Sequence, residues 1–308
     1  MRVAIAGSGG LAQHIAHFLN ETPHLFIILS RAAKPNLEAL GYQVVVVNYD
    51  DQRDLRYALQ GHDLVISTIS GVSQINLIDA ASHARVRRFV PSEFEGLPAR
   101  RPADSPFDDG RAAALSRLRD IAASNRRRPM KFTCFICGVF YERFARGGLA
   151  RKAIALGSGW EHQGAFMLDI DNNRGEVIEH NSAGQDLRLC MTSLSDVACF
   201  VVEALDIALD RWPEEFKMRG DRRTVTQIIQ YAEAIKGVEF GLIVWTPSEL
   251  AAYIRSALDY QNYPQATKLQ LLIPVVNRQY DFSTANLNDA VAHRPEKFKD
   301  WLRRQWAT

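Results

Sequence analysis

The chain is poor in cysteine, with four in 308 residues. That excludes a disulfide scaffold, which belongs to short secreted chains. Cys134 and Cys137 form one C-x-x-C inside the strand-like run 131–137. A redox dithiol belongs at a helix start, where the dipole lowers its pKa, so these two read as small core residues. Neither sign of charge is in excess: 37 Lys and Arg face 35 Asp and Glu. Nothing in that balance demands a nucleic acid or a membrane surface. The run Arg126-Arg127-Arg128 follows a predicted helix end, where cations complement the dipole, and no aromatics interleave it. No apolar stretch nears the roughly 20 residues that span a bilayer. The N-terminus reads as a strand with no signal-peptide pattern. The expectation is a cytoplasmic protein, monomer or homodimer, whose partner is a small molecule.

Metal and nucleophile signatures are missing as well. The acidic stretch 169–175 has its glycine one place late for a calcium loop, and His180 stands where the closing Glu belongs. His14 and His17 share a helix face without a third ligand nearby. No G-x-S-x-G elbow occurs. No metal is expected.

What is present starts at residue 2. The apolar run Val3-Ala4-Ile5-Ala6 meets Gly7-Ser8-Gly9-Gly10-Leu11-Ala12 and then a helical pattern. This is a G-x-G-x-x-A dinucleotide fingerprint. Gly7 makes the turn, Gly9 admits the pyrophosphate backbone, and Ala12 lets helix and strand pack closely. A second apolar run, 25–29, ends in Ser30 and Arg31, with Lys34 close behind and no acid before Glu38. Two cations and a hydroxyl suit a 2′-phosphate, so the expected cofactor is NADP(H).

Strands are predicted at 2–6, 25–30, 43–48, 64–68, 87–91 and 131–137. Helices are predicted at 10–20, 52–60, 73–84 and 108–124, the last capped by Asp108 or Asp109. This alternation reads as an α/β, doubly wound parallel Rossmann sheet. Beyond residue 145 the rhythm loosens, with helices at 194–209, 224–235, 247–260 and 295–306. The expected division is a cofactor domain of 1–148 plus about 185–236, and a smaller α+β substrate lobe of about 149–184 plus 237–308.

The stretch from Val45 to Phe94 resembles the NmrA-like, isoflavone-reductase-like group of atypical short-chain dehydrogenases. The most specific string is Val86-Arg87-Arg88-Phe89-Val90-Pro91-Ser92-Glu93-Phe94, similar to the group's V-K-R-F-x-P-S-E-F signature. Asp63 to Gly71 and Gln74 match as well. The resemblance implies NADPH, with Thr68, Ile69, Ser70, Gly71 and Gln74 bordering its diphosphate and ribose. It places Pro91, Ser92, Glu93 and Phe94, and then Gly138, Val139 and Phe140, near the nicotinamide.

The group's reducing members look to a lysine in the helix after the P-S-E-F loop. Here no lysine stands between Lys34 and Lys131. Arg111 is the nearest cation; it stabilises an oxyanion more readily than it gives up a proton. Tyr141, Glu93 and His162 are the other catalytic candidates. The expected activity is NADPH-dependent reduction of a small aromatic or polycyclic metabolite. The alternatives are a non-redox cyclase or isomerase with a retained NADP(H) pocket, or an NADP(H)-sensing regulator.

Overall fold

The computed structural model describes residues 1–125 and 127–307. Arg126, the first of the triple arginine, lies outside the described residues. Six parallel strands build the central sheet: β1 (Arg2–Ala6), β2 (Leu25–Ser30), β3 (Val44–Val46), β4 (Leu64–Ser67), β5 (Arg88–Val90) and β6 (Lys131–Phe132). Their order is β3-β2-β1-β4-β5-β6, the Rossmann arrangement. The connecting helices are α1 (Gly10–Leu19), α2 (Pro35–Glu38), α3 (Gln52–Ala58), α4 (Gly71–His83) and α5 (Arg111–Ala122). Helices cover both faces, so the strands need no polar alternation, and Val3, Ala4, Ile5 and Ala6 are all inaccessible.

One face packs Val3, Ile5 and Ile66 against Leu11, Ile15 and Leu19 of α1. Val197 and Val201 of α6 (Leu194–Glu203) join that layer from the second half of the chain. The other face sets Ala4, Val65 and Phe89 against Leu55, Leu77 and Leu118. A third cluster gathers Tyr141, Phe144, Phe166 and Leu189 around Phe298 and Trp301 of the C-terminal helix Phe298–Trp306. The Trp306 indole donates to the Phe144 carbonyl at 2.7 Å.

Several helix starts show side-chain capping. Asp51 accepts from the N–H groups of Arg53 and Asp54 at the head of α3. Thr224 and Gln227 form a capping box on α7 (Val225–Lys236), as Thr246 and Glu249 do on α8 (Pro247–Asp259). The start of α5 differs from the expected acid cap. Gly110, at φ 72°, is the cap, and the Asp108 carboxylate accepts from the Ala112 N–H one turn in.

The sixth strand, expected over 131–137, is broken. Thr133 is fully buried; its hydroxyl donates to the Pro213 carbonyl at 2.6 Å and accepts from Arg88 at 2.7 Å. Satisfying that hydroxyl peels the chain off the main sheet. Cys134–Ile136 then pairs in parallel with Glu215–Lys217. Phe135 stands edge-on to Trp212 there, with ring centroids 5.6 Å apart. Cys134 and Cys137 are buried and free, and burial raises both thiols above their ordinary pKa. Among the described residues no helix is long and apolar enough to cross a membrane.

Candidate cofactor and substrate site

Strand order reverses between β1 and β4, and ligands in such sheets bind beyond the carboxyl ends there. Gly7 turns the chain at that point with φ 108°, and a Cβ on it would sit 2.3 Å from Thr68 Oγ1. Thr68 donates to the Ala6 carbonyl through both its N–H (2.8 Å) and its hydroxyl (2.9 Å). This pair of hydrogen bonds stitches the two strand ends together. Ser8 Oγ lies 3.5 Å from Ser30 Oγ at the end of β2. Arg31 is exposed and Lys34 half-buried just beyond.

At the head of α4 the Ser70 hydroxyl bonds the Asp109 carboxylate, and the Gly71 N–H donates to the Asp109 carbonyl at 2.9 Å. The Ile69 carbonyl accepts from the Ser67 hydroxyl. Gln74 is inaccessible; its Oε1 accepts from the Ser92 N–H at 2.7 Å, while its Nε2 is buried without a partner.

A cavity of about 630 Å³ opens over these strand ends. Gly9, Gly10 and Leu11 line one end, Thr68, Ser70, Ser92 and Phe94 its floor, and Gly138, Val139 and Phe140 the far side. The expected cofactor residues Gly7, Ser8, Ala12, Ser30, Arg31, Lys34, Ile69, Gly71, Gln74, Pro91 and Glu93 are not part of this lining.

Of the four catalytic candidates only Arg111 faces the cavity. Tyr141 is corrected: it is inaccessible, packs on Phe298 and Trp301, and spends its hydroxyl on the Glu296 carbonyl at 3.0 Å. His162 is corrected too, since it is exposed and stands beside Glu161 outside the cavity lining. The Glu93 carboxylate is buried behind the wall, gripped by the Arg101 guanidinium, which also bonds Asp108 at 3.2 Å. Burial raises its pKa against the pull of that guanidinium.

Three cavity residues escaped the sequence reading. Glu95 Oε2 lies 2.7 Å from Arg111 Nη1, and its Oε1 accepts from the Tyr280 hydroxyl at 3.0 Å. Burial opposes the Glu95 charge, but Arg111, Arg101, Arg143 and the Tyr280 hydroxyl outweigh it and hold the carboxyl below its ordinary value. Gly96 lets this loop press on the 279–280 backbone, for a Cβ there would meet the Gln279 carbonyl at 2.4 Å. Arg143 is the third, after Glu95 and Tyr280. Its guanidinium lies between Trp160 (4.8 Å) and Phe166 (5.1 Å), and its Nη1 is buried without a hydrogen-bond partner.

The segment after residue 147 lies across the glycine loop. The Gly10 N–H donates to the Ala153 carbonyl at 3.0 Å, and a Cβ on Gly10 would fall 1.6 Å from the Lys152 carbonyl oxygen. Ala153 and Ala155 hold left-handed backbone, at φ 51° and 54°. The Cβ-free crevice at Gly7, the hydroxyls of Ser8 and Ser30, and the cations beyond β2 fit a dinucleotide. At Gly10 the Ala153 carbonyl takes the helix-start N–H that a dinucleotide fingerprint offers to phosphate.

Residues 6–128 match a family model described as NAD(P)H-binding. They form an NAD(P)H-binding domain. Its curated relatives include oxidoreductases and pinoresinol-lariciresinol reductases. An oxidoreductase named swnR from Metarhizium robertsii is 39% identical over 101 residues, covering 30% of this chain and 33% of that protein. A bifunctional pinoresinol-lariciresinol reductase from Linum corymbulosum is 29% identical over 180 residues, covering 54% and 49%. The chain thus matches about a third of the length of swnR and half that of the Linum reductase. Among solved structures, AtPrR2 with NADP+ and (+)pinoresinol superposes with TM-score 0.72 at 18% identity, covering 98% of each chain. Leucoanthocyanidin reductase with NADPH from Vitis vinifera gives 0.70 at 16%, covering 99% of each. At such identities these likenesses establish the fold around the NAD(P)H-binding domain.

Proposed function

We propose that the protein is a cytoplasmic NADPH-dependent reductase of a small aromatic or polycyclic metabolite. In this reading residues 7–12 take the diphosphate. Ser30, Arg31 and Lys34 take the 2′-phosphate, and residues 68–71 with Gln74 take the ribose side. Residues 91–94 and 138–140 border the nicotinamide. Residues 1–148 with about 185–236 are the cofactor domain, and the remaining segments are the substrate lobe. The cofactor, when bound, supplies the hydride.

This chain's residues then act on the acceptor. Phe107, Trp160 and Tyr280 give the cavity an aromatic wall that suits a planar substrate. Hydride arrival leaves negative charge on the substrate oxygen, which Arg143 Nη1 and Arg111 are placed to stabilise. Both guanidiniums keep their protons at neutral pH, so solvent completes the protonation. The buried, unpaired Nη1 of Arg143 in an aromatic cavity continuous with the glycine loop carries this reading.

The test is NADPH oxidation over a panel of enones, benzylic ethers and aromatic ketones, with Arg143→Gln beside the wild type. Turnover that falls at least tenfold in the variant, with NADPH affinity kept, supports the reading. A wild type that binds NADPH but transfers hydride to none of these acceptors overturns it. The non-redox alternative keeps the same pocket and needs no net hydride transfer. Product formation without change in nicotinamide absorbance would mark that case.

A further inference from the structure

On the far side of α6 from the sheet interior, three side chains of different chemistry converge. Cys199, Glu203 and His293 each offer a ligand atom, and these atoms lie within 4.8 Å of one another. Cys199 and Glu203 sit one turn apart on α6, on one face with Asp196. His293 arrives from the segment before the C-terminal helix, 94 residues beyond Cys199.

The histidine is oriented. Its Nε2 lies 2.7 Å from Asp196 Oδ1, and the other Asp196 oxygen accepts from the Ser193 hydroxyl at 2.7 Å. The Phe200 ring stands edge-on to the imidazole at 4.8 Å. A carboxylate on Nε2 fixes the proton there and turns the Nδ1 lone pair outward, the outer-shell arrangement of metal-bound histidines. Nδ1 faces Cys199 Sγ at 3.3 Å, and Sγ lies 4.0 Å from Glu203 Oε1. A tetrahedral zinc ion, with bonds of about 2.3 Å to sulfur and about 2.0–2.1 Å to nitrogen or oxygen, sets its ligand atoms about 3.5 Å apart. The two observed separations bracket that figure.

We infer that Cys199, Glu203 and His293 bind a divalent transition-metal ion, zinc by its ligand chemistry, with the fourth position left to water. A thiolate, an imidazole and a carboxylate are a borderline-soft set that selects such an ion over magnesium or calcium. None of the three residues lines the cofactor cavity. The site pins the segment around His293 to α6, closing a long loop of chain. The site is not legible in the sequence, because two ligands sit on one helix and the third 90 residues beyond Glu203.

The test uses the full chain stripped with chelator and no nicotinamide, so its outcome is independent of the reductase reading. Zinc is titrated against a chromophoric chelator, and cobalt(II) serves as a spectroscopic probe. One equivalent per chain with submicromolar affinity is expected, with a thiolate-to-cobalt charge-transfer band. Cys199→Ser and His293→Gln should each weaken zinc at least 100-fold and abolish the band. Asp196→Asn should weaken it about 10- to 100-fold, as removal of an outer-shell carboxylate does. Far-ultraviolet circular dichroism and cooperative urea unfolding report that each variant is folded. Substoichiometric zinc uptake by the wild type would overturn the inference. So would a folded Cys199→Ser that binds as the wild type does, or a cobalt complex without the thiolate band.

Discussion

The Gly10 amide donates to the Ala153 carbonyl at 3.0 Å, at the helix start where a dinucleotide fingerprint presents its N–H to phosphate. A diphosphate bound there displaces the 152–155 backbone. Saturating NADP+ should therefore speed amide exchange across residues 150–158 and slow it across 10–13. Tight binding with exchange unchanged in both segments would place the diphosphate elsewhere.

Arg31 and Lys34 are the only cations in the stretch just beyond β2. Replacing Arg31 by Ala should weaken NADPH about 10- to 100-fold, the value of one or two charge-assisted hydrogen bonds, and leave NADH affinity within about twofold. Isothermal titration with both nucleotides decides this. Equal losses for the two would remove the 2′-phosphate from that corner.

Glu95 holds Arg111 and Tyr280 together in the cavity wall. Glu95→Gln strands the Arg111 charge and should cost about 3–5 kcal/mol of stability by urea unfolding. Tyr280→Phe removes one hydrogen bond to a charged group and should cost about 1.5–3 kcal/mol. The double variant should cost less than the sum, since both changes act on one carboxylate.

Burial raises the Glu142 carboxyl from 4.5 to about 7, against the Leu194 N–H bonds that favour its charge. Folding therefore favours the protonated acid. In the unfolded chain this group ionises near its ordinary value, so the folded state loses stability as pH climbs from about 4.5 to about 7, and stays at the lower level above. Glu142→Gln should flatten that part of the profile and narrow the gap in Tm between pH 5 and pH 8. An unchanged profile would show that Glu142 ionises normally.

The sheet and the glycine turn were legible because both are local: Val3-Ala4-Ile5-Ala6 running into Gly7 needs no distant partner to read. The break at Thr133 was hidden, since it depends on the Pro213 carbonyl eighty residues away. The cavity wall was hidden for the same reason. Tyr280 meets Glu95 across 185 residues of chain, and nothing in its neighbours announces it. Glu95 alone had a local signal, an acid two places past the Glu93 of the matching string. Tyr141 misled because a tyrosine after a strand end looks like a site residue. Its role is set by Phe298 and Trp301, which only the folded chain brings near.

Because α6 lies on α1 from the opposite half of the sequence, the nucleotide-binding half is not a detachable module. A fragment cut near residue 150 would bare the greasy flank of α1 and leave the edge of Cys134–Ile136 without its neighbour. Such a piece would clump as it emerged. Ribosomes must deliver some two hundred residues before the first Rossmann layer closes.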